Sequence, residues 1–185
     1  RPERVDLTRP KLAQADQQER LPDGSERPLP TRTLHLMAAE DGTAPVDLNA
    51  WEQQVLDSEA AEPSFRGWYR NPSRASKQSL AIPYQDGTGQ WQALRPDFVF
   101  FHANQDGTIR ADIVDPHGTH LADALPKLRG LAEDAQAHGN AFGRIETVAE
   151  IDGQLRVLDM KNDVVQAGVH AAQDAESLYK AAPAY

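Results

Sequence analysis

Two β-rich runs, Phe98-Val99-Phe100-Phe101 and Ile109-Arg110-Ala111-Asp112-Ile113-Val114, flank an Asp106-Gly107 turn, a pattern that predicts a hairpin. Loop length then decides which side chains share a face. A two-residue loop pairs Asp97 with Pro116 and sends the two flanking carboxylates to opposite faces. A three-residue loop, Gln105-Asp106-Gly107, pairs Asn104 with Thr108 and Asp97 with Asp115. Gly107 in the third loop position suits the left-handed conformation such a loop needs, which favours this register. Val99, Phe101, Ala111 and Ile113 then line one face, with Asp97, Asp115 and His117 at its open end. Phe98, Phe100 and Val114 line the other, as in a strand pair buried on both sides.

The same reading continues along the chain. Residues 1–31 are rich in Pro, Gln and charge and poor in large apolar groups, so they are expected to form an extended arm or connector. Thr33–Ala39 reads as a short strand. A helix capped by Asp47 or Asn49 runs to about Ala61, with Glu52 at the third helical position if Asn49 is the cap. Phe65–Tyr69 and Leu80–Tyr84 are strands, and Asp86-Gly87-Thr88-Gly89 turns the chain before Trp91. A second helix, from about Ala122 to Ala137, carries the stripe Leu121, Leu125, Leu128, Leu131 and Ala135, with Pro126 in its first turn and Gly139 to stop it. Arg144–Glu150 and Gln154–Met160 form a hairpin about Asp152-Gly153, and a last helix spans about Asp163–Lys180. Strands in the middle with helices before, between and after predict an α/β domain over residues 32–185, a mixed sheet with helices on its faces.

Composition narrows the function classes. The chain has 185 residues, enough for one domain with a substantial core, and its start at Arg1 suggests a fragment or processed chain. Without cysteine it has neither a disulfide framework nor a thiolate metal site. It shows neither a signal-peptide pattern nor an apolar run approaching the roughly 18 residues of a membrane span, so a cytoplasmic location is expected. A net charge of −9 argues against a free-standing module that grips nucleic acid by bulk electrostatics. One segment runs against that total: between Glu62 and Asp86 there is no acid, and Arg66, Arg70, Arg74 and Lys77 fall among Phe65, Trp68 and Tyr69. It reads equally as a phosphate-contacting patch or as a solvated loop with cation–π packing.

If the hairpin folds in the three-residue register, two carboxylates and an imidazole meet at one spot, as a divalent metal or a hydrolytic water requires. An acid-bearing helix comes first, then a hairpin with Pro96-Asp97 on one strand and Asp115 two residues before His117 on the next, then a helix. This order resembles the PD-(D/E)xK nuclease superfamily. More narrowly, Phe65–Tyr185 resembles the C-terminal nuclease-like region of type III restriction enzyme Res subunits and related DEAD/DEAH-box helicase proteins. The blocks that carry the likeness are Trp68-Tyr69-Arg70-Asn71-Pro72, Arg95-Pro96-Asp97-Phe98, Asp115-Pro116-His117-Gly118 and Leu121-Ala122-Asp123-Ala124-Leu125-Pro126-Lys127.

The resemblance implies a restriction-endonuclease-like fold and a metal-dependent endonuclease acting on double-stranded DNA. Asp97 and Asp115 match its Mg²⁺- or Mn²⁺-binding acids, and Glu52 or Glu59 matches the acid supplied by the first helix. His117 stands where the motif keeps lysine, and losing that fixed cation is expected to lower the rate on the order of 10²- to 10³-fold. Lys127 on the following helix is the candidate to replace it. The resemblance also implies a helicase-type ATP motor, upstream in the same polypeptide, since the chain itself carries no Gly-rich phosphate loop. Two other readings stand beside it. One is a catalytically degenerate nuclease-like module that binds DNA through Arg66, Arg70, Arg74 and Lys77 or docks partners. The other is a hydrolase of another phosphoester that holds Zn²⁺ or Mn²⁺ with Asp115, His117 and His120.

Overall fold

The computed structural model describes residues 18–20, 23–119 and 123–185. Its contacts divide the chain into two compact units, Arg1–Leu48 and Asn49–Tyr185. In the first unit, β1 (Gln18–Arg20) pairs with β2 (Glu26–Pro28), and β3 (Thr31–Thr33) with β4 (Thr43–Pro45), both antiparallel. The described part of the expected arm therefore carries a hairpin, and the division between units falls after Leu48. The strand expected over Thr33–Ala39 ends where that prediction begins: Leu34 takes a left-handed φ of 57°, and the Ala38 N–H donates to the His35 carbonyl across a turn.

The second unit opens with α1 (Ala50–Ala60), whose capping box settles the choice of cap. The Asn49 side chain accepts from the Glu52 N–H at 3.0 Å, and the Glu52 carboxylate accepts from the Asn49 N–H at 2.8 Å. Next come β5 (Phe65–Arg70) and a separate hairpin of β6 (Ile82–Gln85) and β7 (Trp91–Leu94), then β8 (Phe98–Ala103) and β9 (Ile109–Pro116). The strand predicted over Leu80–Tyr84 thus belongs to that side hairpin and not to the main sheet. After α2 (Ala124–His138) and a 3₁₀ turn at Gly139–Ala141, β10 (Ile145–Ile151) runs parallel to β9, and β11 (Gln154–Asp159) returns antiparallel. The five-stranded sheet has the order β11-β10-β9-β8-β5. It is a mixed sheet flanked by helices, with α1 packed on β5 and β9 and α2 on β10.

The central hairpin adopts the three-residue register. Phe98 pairs with Val114 and Ala103 with Ile109, the Asn104 N–H donates to Thr108 at 2.8 Å, and Gly107 has φ +83°. Phe98, Phe100, Ile113 and Val114 are wholly buried, so both faces of the pair are covered. Ile113 and Ile145 join Leu128, Leu131 and Ala135 of α2 in the principal core. Each such side chain removed from water stabilises the fold by about 1.5–3 kcal/mol.

Two helix ends differ from the sequence reading. Gly139 keeps right-handed geometry, φ −55°, so α2 tightens into the 3₁₀ turn instead of ending on a left-handed glycine. The expected last helix is two, α3 (Asp163–Ala171) and α4 (Ala175–Lys180). The break has local causes: the Asp174 side chain accepts from the Ser177 N–H and caps α4, while Arg129 donates to the Val169 and Ala172 carbonyls at the end of α3. The β6–β7 hairpin is seated on α2 by a close approach. A Cβ at Gly130 would lie 2.3 Å from the Tyr84 Cβ, so glycine is what lets that tyrosine reach the helix backbone.

Candidate active site

The register of β8 and β9 brings Asp97 and Asp115 together. The Asp97 N–H donates to Asp115 Oδ1 at 2.9 Å, and that carboxylate is nearly sealed from solvent at 4% exposure. Pro96 restricts Arg95 to extended backbone, which aims the chain straight into β8. The other hydrogen bonds that fix Asp97 come from Asn71, at 3% exposure. The Asn71 N–H donates to the Asp97 carbonyl at 2.9 Å and its Nδ2 to the Pro96 and Leu80 carbonyls at 2.8 and 2.9 Å, while Oδ1 accepts from the Leu80 N–H. Asn71 thus ties the loop after β5 to the start of β8.

Asp97 and Asp115 line a cleft of 240 Å³ with Ser73, Ala93, Arg95, His117 and Lys127. Lys127 lines it from the first turn of α2, with its Nζ 2.7 Å from Asp123 Oδ2. The His117 N–H donates to the Val148 carbonyl at 2.7 Å, continuing the parallel ladder of β9 and β10, and its ring lines the cleft. Burial, and then the negative charge of Asp97, push the Asp115 carboxyl up to about 7, against weaker opposing effects of the Asp97 N–H, Lys127 and Arg70.

Several predicted residues play other parts. Arg70 is clamped between carboxylates, with Nη1 2.5 Å from Asp97 Oδ1 and Nη2 2.6 Å from Glu52 Oε1, and its guanidinium lies 5.1 Å from the centroid of the Phe98 ring. It is a bracket between α1 and β8, not a surface cation awaiting phosphate. Glu52 therefore reaches the site through Arg70, while its second oxygen serves the α1 cap. Arg66 folds back on the Pro63 and Phe65 carbonyls while staying exposed, and Arg74 and Lys77 are exposed as well. His120 lies outside the described residues. Among the described residues, no group of three or more His, Asp or Glu side chains is arranged to hold a metal ion, so the wider ligand set of Asp97, Asp115, Glu52 and Glu59 does not assemble.

Glu59 sits at the opposite end of the sheet, because seven positions along α1 carry it a full two turns away from Glu52. There it accepts from His102 Nε2 at 2.8 Å, from Arg144 Nη2 at 2.6 Å and from the Tyr185 hydroxyl. Burial opposes its ionisation, yet the hydrogen bonds from Arg144 and Tyr185 outweigh it and hold Glu59 below the usual carboxylate range. Arg144 also binds Asp112 at 2.9 Å and Glu146 at 3.3 Å. No local pattern along the chain marks this network, since its members come from α1, β8, β9, the start of β10 and the segment after α4. Asn71 and Arg95 were also missed as site residues. Both stand in blocks that carry the nuclease likeness, Asn71 as a turn-forming pair with Pro72 and Arg95 two residues before Asp97.

The YagJ family model matches residues 33–185, well over half of the chain. The chain belongs to the YagJ family. Among its relatives, Protein YagJ of Escherichia coli (strain K12) is 47% identical over 179 residues, which cover 96% of this chain and 72% of that protein. No solved structure matches this YagJ-family chain. The family match takes in β4 and the whole of the Asn49–Tyr185 unit, so Asp97, Asp115, His117 and Lys127 all lie within it.

Proposed function

We propose that the Asn49–Tyr185 unit is a nuclease-derived domain that acts on double-stranded DNA as a Mg²⁺- or Mn²⁺-dependent endonuclease, with Asp97 and Asp115 as its ion-holding carboxylates. The observation that carries this reading is the pair itself: two acids on neighbouring strands, joined by a 2.9 Å hydrogen bond at the wall of a cleft that Lys127 also lines. The order of acid-bearing helix, hairpin and following helix, on which the nuclease resemblance rests, supports it. Two carboxylates suit Mg²⁺, which keeps several waters and takes its remaining oxygens from substrate phosphates. A buried carboxyl pushed up to about 7 is also what an acid pair shows when its charge is under-compensated. When bound, such an ion polarises a phosphoryl oxygen and lowers the pKa of an attacking water.

The chain's own residues supply the rest. Asn71 and Arg70 hold Asp97 at the cleft. Lys127 offers the fixed positive charge that lysine provides in the motif, and His117 adds an imidazole to the cleft wall. The expected setting is cytoplasmic. A helicase-type motor, upstream in the same polypeptide, remains the proposed partner. The test is nicking or linearisation of plasmid DNA by the full chain with Mg²⁺ or Mn²⁺. Cutting is expected to fall at least about 100-fold in Asp97→Ala and Asp115→Asn; cutting that survives Asp97→Ala at the wild-type rate rejects the assignment.

A second reading has its own support. The 2.5 Å bridge from Arg70 to Asp97 and the histidine in the lysine position favour a module that binds DNA without cutting it. It expects salt-sensitive binding that weakens in Arg74→Ala and is indifferent to Asp97→Ala, with no cleavage by the whole chain in either ion.

A further inference from the structure

We propose that Trp91 and Arg95 form a single-strand platform at the mouth of the cleft, which takes an unpaired nucleotide of DNA: the base stacks on the indole and its phosphate lies on the guanidinium. The inference rests on the nuclease-derived reading and adds to it the unpaired part of a duplex that the same cleft holds.

Trp91, Ala93 and Arg95 are spaced by two along β7 and its continuation, so they share one face. The burial pattern identifies that face as the outer one. In β6 and β7, Ile82, Tyr84 and Leu94 are buried, while Pro83 and Gln85, which pair with Ala93 and Trp91, are exposed. Trp91 is 68% exposed, a large aromatic surface left in water on a short strand. Ala93 and Arg95, further along the same face, line the cleft with Asp97, Asp115 and Lys127. At about 3.3 Å per residue, the indole stands one nucleotide's length or so from the cleft wall.

Of the two cations lining the cleft, Lys127 is paired with Asp123, whereas Arg95 makes no ion pair among the described residues. Its Nη1 makes a long 3.4 Å contact to the Ala93 carbonyl, and its Nε is a buried donor without a partner among the described residues. Arg70, by contrast, is clamped by two carboxylates. The platform is also rigid. At the hairpin tip, Asp86 accepts from the Thr88 and Gln90 N–H groups and from Gln92 Nε2, and at its base Tyr84 is seated on Gly130. A rigid exposed aromatic beside an under-used guanidinium is the combination that holds single-stranded nucleic acid: stacking tolerates any base and the cation takes the phosphate. A blunt duplex offers its bases no such access, which makes a frayed or unpaired end the better ligand.

The experiment is fluorescence anisotropy with the full chain, in EDTA, on three labelled DNA probes: a single strand, the matching blunt duplex, and that duplex with an unpaired end. The single strand and the frayed duplex are expected to bind more tightly than the blunt one. Trp91→Ala should weaken those two by about fivefold or more while leaving the blunt duplex unchanged, and Trp91→Tyr should restore most of the loss. Arg95→Gln should weaken all three and reduce the salt slope by about one phosphate contact. Equal affinities for the three probes, or Trp91→Ala binding like the wild type, overturns the platform. Because EDTA withholds the ion, the two readings fail separately. Trp91-dependent binding without cleavage in Mg²⁺ or Mn²⁺ sinks the endonuclease and keeps the platform, whereas cleavage with Trp91-independent binding does the reverse.

Discussion

The two ends of the central sheet handle buried charge in opposite ways. At one end, Glu59 and Asp112 are matched from several directions by Arg144, His102, Tyr185 and backbone N–H groups. At the other, Asp115 is just as buried but accepts a single hydrogen bond among the described residues, from the Asp97 N–H, and has a second carboxylate beside it. The first arrangement satisfies its members and locks α1, β8, β9, β10 and the last residues together. The second leaves a carboxyl whose charge the fold does not balance, beside a 240 Å³ cleft. Polar groups that are expensive to bury and left incompletely paired are candidates for chemistry; saturated ones are architecture. This contrast moves Glu59 out of the site and keeps Asp97 and Asp115 in it.

Glu59→Gln is the strongest way to break that contrast. It strips the carboxylate from under Arg144 and His102, and a loss of about 3–5 kcal/mol in urea unfolding is expected, with DNA binding by the folded fraction unaltered. A variant of wild-type stability would show that the network is not the architectural one.

Asn71→Ala comes next. Its side chain satisfies the Pro96 and Leu80 carbonyls and the Leu80 N–H, so truncation is expected to cost about 1–3 kcal/mol and to impair any cleavage along with it, because the Pro96 carbonyl next to Asp97 loses its tie to the loop after β5 while the Asn71 N–H bond to Asp97 remains. Full stability with lost cleavage would make Asn71 part of the chemistry itself; unchanged behaviour in both would remove it from the site.

The most selective effect is in pH. The Asp115 carboxyl is raised in the fold from 3.8 to about 7, so the stability its protonated form contributes is fully present below about 4 and is lost as pH climbs through about 7. Glu146 is raised to about 7 as well, by burial first, and adds a loss of the same sign. Asp115→Asn should therefore unfold with a flatter pH dependence than the wild type, retaining the share due to Glu146 and the opposing share of His35, which burial lowers to about 4. Parallel curves for the two proteins would show that the folded environment does not raise Asp115.

Much of the fold was legible because its signals are local. Asn49 and Glu52 are three residues apart and cap α1 as expected, and Gly107 in a three-residue loop fixes the pairing of β8 and β9. The second hairpin turns at Asp152-Gly153, where both residues are left-handed, φ 52° and 77°. The errors lie where distant partners intervene. The break between α3 and α4 depends partly on Arg129, more than 40 positions from the Ala172 carbonyl it holds. The basic segment after β5 looked like one patch, but Arg70 is taken by carboxylates from α1 and β8 that no spacing along β5 reveals.

By itself, then, the sequence determined the elements, the hairpin register and the meeting of Asp97 with Asp115, because alternation, turn residues and caps act over a few neighbouring positions. Only the tertiary structure decided which charges are spent. Arg70 and Glu59 are neutralised by groups brought in across the fold, Lys127 is delivered to the cleft by the packing of α2, and Asp115 is left under-compensated. That division has one physical reason: backbone geometry is set by local sterics and hydrogen bonds, whereas the state of a buried charge depends on every group packed around it.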